Sequence, residues 1–108
     1  MADQRKSVRE IMTQSIGFCP KDALGWLYAA RGYYKTRDYH SVIECVTPAL
    51  RNDRTKREAQ HLLAFSFLNT GQLEAAAGAF FKSINNGNDT DWQPLVELLM
   101  DNAGLKLT

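Results

Sequence analysis

Apolar and polar positions recur along this chain with a long period. Slid against itself by about 34 residues, the sequence brings side chains of similar size together without a gap. Ala30 falls on Ala64, Tyr33 on Phe67 and Tyr39 on Leu73. Val8, Val42 and Ala76 coincide, as do Met12, Val46 and Phe80. So do Ser15, Ala49 and Ser83, and likewise Ile16, Leu50 and Ile84. Pro20, Arg54 and Asn88 meet at a place that interrupts helix. Within each unit the large and small residues stand three or four apart, which puts them on one helical face. Small side chains (Ala30, Ala49, Ala64, Ser83) let two helices approach closely. Large ones (Tyr33, Phe67, Phe80) fill the space opposite.

This pattern predicts one domain over residues 1–108, all helical. A leading helix over 5–18 matches only the second half of a unit. A first full unit covers 23–56 and turns at Thr36 to Asp38. A second covers 57–90 and turns at Thr70-Gly71-Gln72, where Gly71 suits a helix C-terminus. The run Asn85-Asn86-Gly87-Asn88-Asp89 is a stop. A last helix over 91–103 carries Pro94 in its first turn, where proline is tolerated. Its apolar places (Trp92, Leu95, Val96, Leu99) leave the register of the repeat, so it reads as a capping helix. Helix pairs this short bury their apolar stripes only by stacking on neighbours.

The chain resembles the tetratricopeptide repeat family. In that pattern a Trp, a Leu-Gly pair and a Tyr are followed by Ala, Phe and Pro at set spacings. Trp26, Ala29, Ala30 and Tyr33, then Val42, Val46 and Ala49, take those places in the first unit. Gln60, Leu63, Ala64 and Phe67, then Ala76, Phe80 and Ser83, take them in the second. Alanine replaces the glycine, and only Pro20 keeps the closing proline. The resemblance implies a right-handed stack of about six antiparallel helices. It also implies a concave groove lined by the first helix of each pair. Leu24, Leu27, Tyr28, Arg31, Tyr34 and Lys35 would line it from the first unit. His61, Phe65, Leu68 and Asn69 would line it from the second, with Trp92 or Leu95 near the end. An apolar groove of that kind takes a helix or extended segment of another protein. One subgroup of the family grips acidic chaperone tails with polar donors. Here Leu27, Leu62 and Phe65 stand where such a clamp needs donors, so the implied partner is anchored by apolar or aromatic groups.

Composition leaves this picture in place. Of the 108 residues, 44% are hydrophobic and 23% charged, which suits a folded globule rather than a disordered chain. A net charge of +1 gives no global attraction to nucleic acid or anionic lipid. The cluster Arg51, Arg54, Lys56 and Arg57, with Asp53 among it, reads as a solvated turn between the units, and Arg5, Lys6 and Arg9 add a second small basic patch. Neither makes a nucleic-acid footprint on a neutral domain, so no nucleic-acid partner is expected. The longest apolar run, Leu62 to Leu68, is far short of the roughly 20 residues a span needs, so no direct membrane insertion is expected. No apolar core follows the first charges, so no secretory signal is read. Cytoplasmic location is expected. A mitochondrial one stays open, although Asp3 and Glu10 count against a presequence. Cys19 and Cys45 read as reduced thiols.

Candidate chemistry is sparse. His40 and His61 lie apart, and no Cys or His pair has zinc-ligand spacing. No nucleophile elbow, phosphate loop or dinucleotide turn occurs. In Asn86 to Asp91 the glycine comes too early for a calcium loop. The expectation is therefore a non-enzymatic interaction module without cofactor, an adaptor or assembly subunit. A dedicated small chaperone for a secretion or assembly substrate is the alternative. A soluble relative of the six-helix mitochondrial fission adaptors ranks lower, since those are tail-anchored and Gly104 to Thr108 offers no anchor. Val8, Ile11, Ile16 and Phe18 do not all point one way from the leading helix. That edge is expected to be shielded or to serve in self-association through the N-terminal helix.

Overall fold

The structure is a computed structural model that describes residues 6–102. Six α-helices follow one another: α1 (Val8–Ile16), α2 (Ala23–Lys35), α3 (Tyr39–Ala49), α4 (Lys56–Asn69), α5 (Leu73–Asn85) and α6 (Trp92–Asp101). A 3₁₀ turn, Asp89–Asp91, leads into α6. There is no strand among the described residues. The fold is the expected all-α, repeat-like one. Arg5, in the expected leading helix, and Ala103 and beyond lie outside the described residues.

Local chemistry sets the helix ends. Ser7 and Glu10 form a reciprocal capping box on α1, and Gly17 closes that helix at φ 68°. Asp22 accepts from the Gly25 N–H at 2.9 Å and Asp38 from the Ser41 N–H at 3.3 Å, which start α2 and α3. The two turns inside the units are copies of each other. Arg37 (φ 63°) and Gly71 (φ 79°) both adopt the left-handed conformation. In each turn the next residue's N–H reaches back five places, Asp38 to the Tyr33 carbonyl at 3.0 Å and Gln72 to the Phe67 carbonyl at 2.9 Å. Thr36 and Thr70 donate their hydroxyls to those same two carbonyls. A third such turn ends α5 at Gly87, φ 101°, with the Asn88 N–H on the Ser83 carbonyl.

Each helix packs on the next from α2 to α6, and α4 also touches α2. The core has two parts. Val8, Trp26, Leu27, Ala30, Val42, Cys45, Val46, Ala49, Ala59 and Leu62 form one. Ala64, Ala76, Ala77, Ala79, Phe80, Leu95 and Leu98 form the other. Ala30, Ala49, Ala64 and Ser83, the small residues of the repeat, have no exposed surface, and Phe80, in the second cluster with Ala64, is fully buried. Such interdigitation of small and large side chains lets helix axes come close. α1 rests on α3, where the Val8 N–H donates to Glu44 Oε2 at 2.8 Å. One buried group is out of place: the Ser66 hydroxyl on α4 has no hydrogen-bond partner.

Candidate functional site

α2 and α4 are joined by a set of polar side chains. Tyr28 and Arg31 stand three apart on α2, so they share a face, and the Arg31 guanidinium lies 5.2 Å from the Tyr28 ring centre. Arg31 Nε and Nη2 both donate to the Glu58 carboxylate on α4, a two-pronged pair that ties the helices together. Those hydrogen bonds hold the Glu58 carboxyl below its ordinary range, against a smaller opposing effect of burial, and raise Arg31.

One helical turn along α4, His61 Nδ1 lies 2.9 Å from both carboxylate oxygens of Asp91. Asp91 is only 1% exposed, so its charge is satisfied inside the protein. The Ser83 hydroxyl donates to Asp91 Oδ2 at 2.6 Å, and Asn88 Nδ2 donates to Ser83 Oγ at 2.8 Å. Asn88 Nδ2 also donates to the Arg57 carbonyl at 2.7 Å, and Arg57 returns a bond from Nη2 to the Gly87 carbonyl at 2.9 Å. The third left-handed turn is thus laced to the start of α4. An open cavity of about 470 Å³ lies there, lined by Arg54, Arg57, Glu58, His61, Asn88 and Thr90.

The tautomer of His61 follows from its neighbour. A carboxylate only accepts, so Nδ1 carries a proton, and Nε2 has no hydrogen-bond partner among the described residues. The Ser83 hydroxyl sits on the carboxylate and not on the ring, so the three groups do not form a nucleophile–base–acid relay. Among the described residues no set of three or more His, Cys, Asp or Glu side chains could hold a metal ion. The arrangement can accept and donate hydrogen bonds to a bound segment and set an aromatic ring against it.

No family model, curated protein or solved structure matches the chain.

The residues expected to line a groove separate into three sets. Leu24, Tyr28, Arg31, Lys35, Asn69 and Trp92 are exposed. Tyr34, His61, Phe65 and Leu68 are half-buried. Leu27 is 3% exposed and belongs to the core, and the alternative end residue Leu95 is at 2%. The groove assignment of Leu27 is therefore corrected. Leu27 lies one position beyond Trp26 and three before Ala30, on the edge of the α2 stripe that packs inward. Tyr34 meets Tyr39 edge-on, with ring centres 5.6 Å apart. Phe65 is wedged edge-on between His61 and buried Phe80, at 4.9 Å from each. The face is consequently less apolar than the sequence suggests, with its ion pair and its His–Asp pair in the middle.

Sequence reasoning missed Glu58, Ser83, Asn88 and Asp91. One signal was present: Ser83 replaces Ala49 at a small, buried place of the repeat, and a hydroxyl there needs a partner. The exposed residues lie on helices too short and too polar to cross a bilayer, since no described helix is long and apolar enough to do so.

Proposed function

We propose that the chain is a non-enzymatic protein-interaction module of tetratricopeptide type, an adaptor or assembly subunit that holds a segment of another protein on the α2–α4 face. The observation that carries this reading is the pairing of exposed Tyr28 with a fixed polar centre. Tyr28 is 58% exposed beside Arg31, and Glu58, which Arg31 holds, lines the 470 Å³ cavity at the start of α4. Aromatic and arginine side chains are the usual anchors of protein interfaces. Fixed partners such as Glu58 and Asp91 lower the entropy cost of using Arg31 and His61 in binding. The partner segment would set an apolar side chain against Leu24 and Tyr28 and a hydrogen-bonding group against His61 and Arg54. A cytoplasmic setting suits such a role.

A photo-reactive residue placed at Tyr28 tests the reading, with the same residue at exposed Thr47 on α3 as control. In native cells one partner should cross-link from position 28 and not from position 47. Equal yields from both positions would remove the α2–α4 face from the proposal.

A further inference from the structure

The exposed large hydrophobic side chains lie in the first and last parts of the chain. Among the described residues Ile11, Ile16, Phe18, Leu24 and Tyr28 are exposed on α1, on the α1–α2 connection and on α2. Phe81, Trp92, Val96 and Met100 are exposed on α5 and α6. Between Ala29 and Phe80 no large hydrophobic residue is exposed. Single exposed apolar residues are ordinary, but repeat stacks need polar outer faces at their ends to stay soluble alone. Here both ends are the apolar places.

The ends differ in shape and in charge. At the C-terminal end Trp92, Val96 and Met100 stand four apart and form one ridge along α6, 51%, 43% and 76% exposed. Leu95 and Leu98 bury a second face of the same helix on α5, so α6 is apolar on two sides. At the N-terminal end a cleft of about 490 Å³ runs between α1, its connection to α2 and the end of α3, lined by Phe18, Trp26 and Pro48 and by the charged Arg9, Lys21 and Asp22. Leaving out the buried Asp91, over residues 81–102 Lys82 stands against Asp89, Glu97 and Asp101, a balance of −2. Over residues 6–28, Lys6, Arg9 and Lys21 stand against Glu10 and Asp22, a balance of +1. An acid-flanked ridge at one end and a net-basic cleft at the other are complementary in form and sign.

We infer that copies of this chain associate head to tail, the α6 ridge of one copy seated in the α1–α2 cleft of the next. The contact joins two different surfaces, so it is heterologous. A joined pair still has one free ridge and one free cleft, so assemblies grow as rings or open rows rather than stopping at a symmetric pair. Glu97 and Asp101 face Arg9 and Lys21, so association weakens as salt rises. The surfaces used are distinct from the polar centre at Glu58 and His61, and the inference stands apart from the partner-binding reading above.

Sedimentation of two exposed-site variants tests it. Phe18→Glu spoils the cleft and leaves the ridge, and Met100→Lys does the reverse. Circular dichroism and thermal midpoints unchanged from the parent chain establish that both are folded. The parent chain should gain mass with concentration up to about 1 mM, the weak end of specific association. Each variant alone should remain monomeric, and an equal mixture should double in mass and grow no further. A parent chain that stays monomeric throughout overturns the inference. So does a mixture that stays monomeric, or either variant dimerising by itself, which would mean a like-with-like contact.

Discussion

Arg37 and Gly71 hold the same place in successive units, and both carry left-handed backbone, at φ 63° and 79°. Only one of them is suited to it. For a residue with a Cβ that conformation costs about 1–2 kcal/mol, whereas glycine adopts it freely. The two positions should therefore respond oppositely. Gly71→Ala should lower the thermal midpoint by roughly 4–8 °C, the size of shift that about 1 kcal/mol produces in a domain this small. Arg37→Gly should raise it by a smaller amount, because the added chain entropy of glycine offsets part of the relief. Midpoints moving the same way in both variants would contradict the equivalence of the turns.

The Ser66 hydroxyl is buried without a partner, in the middle of α4. Ser66→Ala removes the unsatisfied group and supplies a better helix former, so stability should rise by about 1 kcal/mol in urea unfolding. The hydrogen bond that Thr70 makes there uses the Ser66 carbonyl and is untouched.

The Asp91 carboxylate holds His61 and Ser83 from a place that is almost fully enclosed. Asp91→Ala would strand both partners and should cost about 2–4 kcal/mol, within the range for broken buried polar networks. Tyr28→Ala, on the exposed face, should change stability by less than about 0.5 kcal/mol. The comparison matters for any binding experiment. Phe65 packs edge-on against Phe80, so loss of binding in Phe65→Ala would mix a surface effect with a core one.

Burial, with a smaller contribution from nearby Glu44 and Asp38, pushes the Cys45 thiol up to about 12. A thiol held that far above neutral pH is a poor nucleophile. Cys19 lies half-buried beside Arg9. A disulfide reagent at pH 8 should modify one thiol of the native protein quickly, identified as Cys19 by peptide mapping, and reach Cys45 only on unfolding. Rapid reaction of two thiols in the native state would place Cys45 nearer the surface than the fold has it.

Glu58 titrates below its ordinary range in the folded protein because Arg31 bonds to its charged form. In the unfolded chain it binds its proton near the usual glutamate value of about 4.3. The unfolded state therefore holds more protons between the two values, and stability falls as pH drops through that window. Both side chains are well exposed, 44% and 39%, so the effect on overall stability is small. The carboxyl carbon shift of Glu58 reads it directly, and Arg31→Ala should move its midpoint upward.

The fold was legible because repetition speaks at many positions at once. Ala30 with Ala64, Met12 with Val46 and Phe80, and the turns at Thr36–Asp38 and Thr70–Gln72 all depend on spacing alone, and spacing survives individual substitutions. The site was less legible because it depends on contacts between units. Arg31 meets Glu58 and His61 meets Asp91 across intervals of 27 and 30 residues, which no helical periodicity relates. Leu27 was misplaced for a related reason: one step of rotation on α2 moves a side chain from groove to core, and sequence sets a helix's rotation only to within about a residue. The structure also shows why α6 left the register. Its apolar residues serve two surfaces, Leu95 and Leu98 facing inward and Trp92, Val96 and Met100 outward.

α4 gives Ala59 and Leu62 to one hydrophobic cluster and Ala64 to the other. The seam between the clusters thus crosses a single helix, in the step from Leu62 to Ala64. A substitution on the inner side of α4 therefore bears on both clusters at once, whichever end of the molecule it is meant to probe.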